Sequence, residues 1–232
     1  MTEPVDEIRG AIEAATSLGP LTEADAYELA RMATVAESAR GESIWLSGAR
    51  ADFFGLVLSG FVKMVKGTPA GQGVTAEIIG PGQVFGMLGV VDGKGCPLMA
   101  QAVTAARYVR IPKSVFQPLY ARNSAVREHI AVRSTSRLRQ AFDTMALMST
   151  GRVEQRLAAV LFTLAEPYGR NAPDGLLIEV PLTRQDMADL AGATVETTIR
   201  TLSRWQSQGL VRTDHRRVTI LAEKALAALL EG

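Results

Sequence analysis

The chain has 232 residues, 47% of them hydrophobic, and a formal net charge of only +1. That length accommodates two domains of ordinary size, and the balanced charge excludes a general polybasic binder. A single cysteine supports neither an internal disulfide nor a four-thiolate zinc or iron–sulfur centre, and no apolar run reaches the roughly eighteen residues of a membrane span.

The first ten residues hold Glu3, Asp6 and Glu7 and lack the apolar core of a signal peptide, so a soluble, cytoplasmic protein is expected. Thr22 is placed to cap a short helix running to about Met32. Between Gly41 and Gly95 stand thirteen of the chain's 21 glycines. The apolar runs Ser43–Leu46, Phe54–Leu58, Phe61–Val65, Val74–Ile79, Ala100–Thr104 and Tyr108–Ile111 read as strands separated by tight turns, the pattern of a small antiparallel roll. Cys96 is expected in an exposed glycine-rich loop near Lys94, where a thiol of lowered pKa can sense oxidants; otherwise a lone cysteine is inert.

Ser124 is placed to cap a long helix reaching about Met148. Ala131, Thr135, Leu138, Phe142 and Met145 alternate at spacings of 4 and 3 along it, a heptad seam. The helix is long for one buried only by a small roll, which favours a homodimer seam over packing on its own domain. Arg127, Arg133, Arg137 and Arg139 fall mostly off the seam and read as a solvated face. Ser149-Thr150-Gly151 reads as a hinge. Val153, Leu157, Val160, Leu161 and Leu164 form the stripe of the next helix, which ends near Pro167 to Gly169. A polar loop then leads to a short strand at 176–180.

Residues 183–202 carry the strongest signal. Thr183 can cap a helix with Asp186 near its positive end, and Met187, Leu190 and Ala191 give that helix a buried face. Gly192 supplies a tight turn. Thr194 can cap a second helix anchored by Leu202 and Trp205, on which Glu196 and Arg200 are neighbours four residues apart. A couple at that spacing is also a routine solvent-side stabiliser. In the first two turns of a recognition helix, however, a guanidinium can fork onto guanine O6 and N7 while a carboxylate accepts from cytosine N4. Val211–Arg212 and Val218–Leu221 flank a polar turn and read as a wing with Arg212, Arg216 and Arg217 putting charge on its tip. From residue 150 onward ten Lys/Arg face ten Asp/Glu, so any DNA affinity depends on how the arginines are arranged.

These segments resemble the Crp/Fnr family of bacterial transcription regulators over nearly the whole chain. Thr194, Val195, Glu196, Thr197 and Arg200 match its Thr-Val-Glu-Thr-x-x-Arg pattern. The resemblance implies an α+β fold: an N-terminal antiparallel β-roll like the cyclic-nucleotide-binding jelly roll at 1–123, a dimerisation helix and hinge at 124–150, and a winged helix-turn-helix at 151–232. It implies double-stranded DNA as partner, a homodimer on a palindrome, and contact with RNA polymerase when activating. Glu196 and Arg200 would read a TGA-like core. Val195 replaces the arginine of the cyclic-AMP receptor branch and follows the oxygen- and nitric-oxide-responsive branch, which implies TTGA-type half-sites. Ile199 replaces that branch's serine at the outer base. Base readout is thus assigned to Glu196, Arg200, Val195 and Ile199, and backbone contact to Thr183, Arg184, Gln185, Thr194, Thr197, Arg204, Arg216 and Arg217.

Gly80-Pro81-Gly82-Gln83-Val84-Phe85-Gly86 resembles the family's Gly-x-x-Phe-Gly element, which leads into its phosphate-binding cassette. Met87 stands where the ribose-binding glutamate belongs, and the Cys96-Pro97-Leu98 region has neither the arginine nor the hydroxyl residue of that cassette. A cyclic phosphate buried there would be a desolvated, unpaired charge, so cyclic AMP is not expected as effector. An iron–sulfur cluster lacks its cysteines, and His129, alone on a predicted helix, reads as an interface residue rather than a haem ligand. No cofactor is expected, and the roll can be a ligand-free dimer platform. A metal-dependent enzyme on such a roll would need clustered histidines; only His129 and His215 exist, and neither lies in the roll. The remaining rival is a scaffolding module whose winged helix binds protein.

Overall fold

The computed structural model describes residues 3–67 and 73–230. The chain forms two compact units, residues 1–72 with 76–139 and residues 140–232 with 73–75, so the boundary falls inside the longest helix.

The first unit opens with two helices that pack together, α1 (Glu3–Ala14) and α2 (Glu23–Met32). Ile8 and Ile12 of α1 and Ala26, Leu29 and Ala30 of α2 are buried. Thr22 caps α2 as expected: its hydroxyl accepts from the Asp25 amide at 3.1 Å while the Asp25 carboxylate accepts from the Thr22 amide. Sequence reasoning missed α1, whose charged residues at 3, 6 and 7 obscure an apolar stripe.

Eight strands follow: β1 (Thr34–Ser38), β2 (Ser43–Trp45), β3 (Phe53–Ser59), β4 (Val62–Gly67), β5 (Gly73–Ile79), β6 (Val84–Phe85), β7 (Met99–Ala102) and β8 (Ala106–Pro112). They form two four-stranded sheets, ordered β1-β8-β3-β6 and β2-β7-β4-β5. All six expected strands are present; β1 and the two-residue β6 were not anticipated. Phe54, Leu56, Val62, Ile79, Val109 and Ile111 are buried between the layers. Trp45 stacks on Phe85 with centroids 5.1 Å apart. Its ring also lies against Gly86, at φ +81°, where an added Cβ would come within 2.6 Å of it. Only a glycine fits between that ring and the following helix, α3 (Met87–Asp92).

Below the roll, α4 (Lys113–Arg122) leads into α5 (Ser124–Thr150). Asn123, not Ser124, caps α5, since its side-chain oxygen accepts from the Val126 amide at 3.1 Å. The expected hinge is narrower than Ser149-Thr150-Gly151. Ser149 and Thr150 remain helical and donate to the Met145 and Ala146 carbonyls, so the break falls at Gly151 and Arg152. Nor are the α5 arginines simply a solvated face: Arg127 donates to the Tyr120 and Ala121 carbonyls, and Arg137 pairs with Glu77 at 2.7 Å.

In the second unit, α6 (Val153–Tyr168) is followed by β9 (Gly169–Ala172), β10 (Gly175–Ile178), α7 (Arg184–Ala191), α8 (Val195–Ser207), β11 (Val211–Asp214), β12 (Arg217–Ile220) and α9 (Glu223–Ala227). The strands make one antiparallel sheet ordered β11-β12-β10-β9. The polar stretch read as a loop after α6 is therefore partly an edge strand. Leu157, Leu161, Met187, Leu202, Trp205, Val211 and Ile220 are buried.

Asp25 joins α2 to the α4–α5 junction, because Arg122 and Asn123 also donate to its carboxylate, at 2.9 and 3.2 Å. Burial pushes this carboxyl up, but the bonds from Arg122, Thr22 and Asn123 outweigh it and hold it below the usual aspartate value. A depressed carboxyl stabilises the fold above its unfolded value near pH 4 and loses that contribution as pH falls through the folded value. Asp25→Asn should therefore cost about 1–2 kcal/mol in urea unfolding at pH 7, with the gap to wild type closing as the pH falls well below 4.

Candidate nucleic-acid interface

The helix-turn-helix is built from its caps outward. The Thr183 hydroxyl accepts from the Asp186 amide at 3.0 Å, and the Asp186 carboxylate accepts from the Thr183 amide and hydroxyl. Gly192 ends α7 in the left-handed conformation, φ 56° and ψ 41°, and an added Cβ would meet the Met148 sulfur at 3.1 Å. Thr194 then starts α8 by accepting from the Thr197 amide at 3.2 Å, and its hydroxyl donates to the Thr197 hydroxyl.

One face of α8, made of Thr198, Thr201, Leu202 and Trp205, is buried. The opposite face presents Glu196, Ile199, Arg200, Ser203 and Arg204, with Val195 and Thr197 half-buried at its edge. Among the described residues neither the Glu196 carboxylate nor the Arg200 guanidinium has a hydrogen bond or ion pair. The couple is thus not closed on itself as a solvent-side stabiliser, and both head groups are available to a ligand.

The residues assigned to the DNA backbone fall into two groups. Thr194, Thr197, Gln185, Arg216 and Arg217 lie on or at the edge of the accessible surface, although Gln185 donates to Asp189 at 2.7 Å. Thr183 is half-buried and its hydroxyl is committed to the cap. Arg184 and Arg204 have partners within the domain. Arg184 is half-buried and donates to the Thr213 hydroxyl at 3.0 Å, burial pulling its guanidinium below the usual arginine value. Arg204 is paired with Glu154 of α6. Both therefore brace the domain. Arg212 likewise pairs with Asp174 and is not at the wing tip. The tip is the turn between β11 and β12, where His215 and Arg216 both take positive φ, 43° and 67°. That is the twist of a type I′ hairpin, achieved here without glycine.

In the roll, Cys96 is buried rather than exposed: its amide donates to the Ala49 carbonyl and its own carbonyl accepts from Gly48. Burial first, then the Asp52 carboxylate, push its thiol up, the reverse of what an oxidant-sensing thiol requires. The cassette region offers acceptors. The Pro97 carbonyl accepts from Ser47 and Lys66, and the Leu98 carbonyl accepts from the Trp45 indole. Pro97 has no N–H to give, and Met87 packs against the core. The side chains at 87, 97 and 98 supply no hydrogen-bond donor of their own. The His129 Nε2 is buried without a partner, and the ring lies over Gly19. Along α5, Ala131, Thr135, Leu138, Phe142 and Met145 are all exposed; the last three are large apolar side chains 52%, 58% and 63% accessible.

Comparison with known proteins matches this arrangement twice. Residues 36–123 fit the cyclic nucleotide-binding domain and residues 155–229 the Crp-like helix-turn-helix domain. The chain belongs to the Crp/Fnr family. It is a DNA-binding transcription regulator of that type. It is 27% identical to the "CRP-like cAMP-activated global transcriptional regulator" of Mycobacterium tuberculosis, over 81% of this chain and 84% of that protein. It is 28% identical to the "Nitrogen fixation regulation protein FixK" of Azorhizobium caulinodans, over 89% and 83% respectively. Among solved structures, FixK2 from Bradyrhizobium japonicum superposes with a TM-score of 0.77 at 23% identity, covering 85% of this chain and 96% of that one. No helix among the described residues is long and apolar enough to cross a membrane.

Thr198 sits at a fully buried position of α8 with a hydroxyl that lacks any partner. Replacing an unsatisfied buried hydroxyl by a methyl of the same shape removes a desolvation cost. Thr198→Val should raise stability by about 1 kcal/mol in thermal or urea unfolding and leave DNA affinity unchanged.

Proposed function

We propose that the protein acts as a homodimer that reads an inverted repeat of TTGA-type half-sites without cyclic AMP, and that it is not an enzyme. The observation that carries the DNA reading is the outward, unpartnered Glu196–Arg200 couple at the start of α8. Arg200 forks onto guanine O6 and N7, and Glu196 accepts from the cytosine amino group. Arg216 at the wing tip and Arg217 at the start of β12, with the hydroxyls of Thr194 and Thr197, fix register on the phosphates.

Two copies are needed because one α8 spans only a half-site; paired copies present two recognition helices about 34–36 Å apart to successive major grooves. The exposed Leu138, Phe142 and Met145 supply the apolar seam for that pairing. The missing cassette donors support independence from cyclic AMP. Membership of the family supports contact with RNA polymerase at promoters that are activated.

In a gel shift on a TTGA inverted repeat, Arg200→Ala should cost about 1–3 kcal/mol and flatten discrimination at the guanine. Arg216→Ala should weaken consensus and scrambled duplexes alike and reduce the salt slope by about one. Equal affinity of wild type for both duplexes would overturn the reading. Phe142→Asp should shift the sedimenting species from dimer to monomer and abolish binding to the full repeat.

A further inference from the structure

In the first unit, the loop between β2 and β3, the loop that follows α3 and the first residue of α4 enclose an open cavity of about 270 Å³. Four of its lining residues are charged, Arg50, Asp52, Lys94 and Lys113, and the rest are three glycines and Ala51. Backbone bonds hold the parts together. The Gly48 amide donates to the Cys96 carbonyl at 2.8 Å and the Cys96 amide to the Ala49 carbonyl at 2.9 Å, which ties loop to loop. The Lys113 amide donates to the Asp52 carbonyl at 2.8 Å and brings the start of α4 to the same rim. The Lys113 ammonium reaches over Gly93, 3.8 Å from where a Cβ would stand on that residue.

Three cations thus share this cavity with one carboxylate. Arg50 lies 3.6 Å from Asp52, and both side chains are largely exposed. The other acid of these loops, Asp92, accepts from the Lys94 backbone amide. Among the described residues neither the Lys94 nor the Lys113 ammonium has a hydrogen bond or ion pair. Lys113 also opens α4, whose first turn has no acidic residue and no side-chain cap, at the helix end where the dipole favours an anion. Like charges gathered in this way repel in the free protein, and a bound anion relieves that repulsion.

The lining also selects the class of anion. No aromatic or large aliphatic side chain lines the cavity, so a nucleobase or acyl chain finds no apolar wall there. Two ammonium groups and a guanidinium suit closely spaced phosphate oxygens. We propose that this cavity is a binding site for a compact polyanion of the diphosphate type, held by Lys94, Lys113 and Arg50. Residues 87, 97 and 98 take no part in its lining, and the site does not depend on α8.

Inorganic diphosphate titrated calorimetrically into the protein at low ionic strength should show one saturable site per protomer. ADP, which carries the same two phosphates on a nucleoside, should bind no tighter. Lys94→Gln combined with Lys113→Gln should weaken diphosphate binding by about tenfold for each lysine. Asp52→Asn should tighten it about threefold, a gain that damage to the fold cannot produce. Arg216→Ala combined with Arg217→Ala, which strips the wing of its cations, should leave the affinity unchanged.

The absence of a saturable site would overturn the inference, as would full affinity in the double lysine variant or a loss confined to the wing variant. ADP binding much more tightly than diphosphate would assign recognition to the nucleoside and overturn it as well. The guanine discrimination of Arg200 is measured separately and stands or falls on its own.

Discussion

The rotation of α8 about its own axis decides what this protein can do. Thr198, Thr201, Leu202 and Trp205 are sunk into the domain, and Trp205 alone is large enough that no rotation of the helix leaves it buried and also turns Arg200 inward. The reading face is thus defined negatively, as whatever remains once the anchors are seated. The reciprocal cap at Thr183 fixes where α7 starts, and the left-handed Gly192 and the Thr194 cap fix where α7 stops and α8 begins. Helix start, helix phase and exposed couple follow from local side-chain chemistry at a few positions.

Around this frame the basic residues divide their labour. Arg204 and Arg212 are joined to Glu154 and Asp174, and Arg184 to Thr213, so much of the unit's positive charge is consumed in bracing. Arg200 at the groove face and Arg216 and Arg217 at the wing have no such pair among the described residues. Steering by bulk charge is weak in such a design, and discrimination rests on placement.

The helix-turn-helix was legible because its signals are local: threonine caps, a glycine at the turn, and apolar positions at helical spacing all lie within twenty residues. Six of the eight strands of the roll were legible from glycine punctuation. The shortfalls have common causes. The two-residue β6 and the polar edge strand β9 are too short or too hydrophilic to show a period of two, and α4 carries Pro118 in its interior, which reads as a break. Cys96 was expected outside because glycines surround it, yet those glycines let the segment fold back. Paired backbone hydrogen bonds with Gly48 and Ala49 turn the thiol inward, a tertiary pairing with no local signature. The engagement of Arg184, Arg204 and Arg212 could not be read for the same reason, since their partners lie 29, 50 and 38 residues away in sequence.

The wing tip has a further consequence. His215 and Arg216 sit in a backbone region that residues with a Cβ seldom occupy, where an asparagine–glycine pair would be more comfortable. Glycine there would relax the turn but leave it without a side chain. Holding an arginine on a two-residue hairpin pinned by the Asp214–Arg217 rung fixes the root of the guanidinium before any phosphate arrives. The domain accepts a little backbone strain in the free state, and less disorder has to be frozen out when the tip meets the duplex.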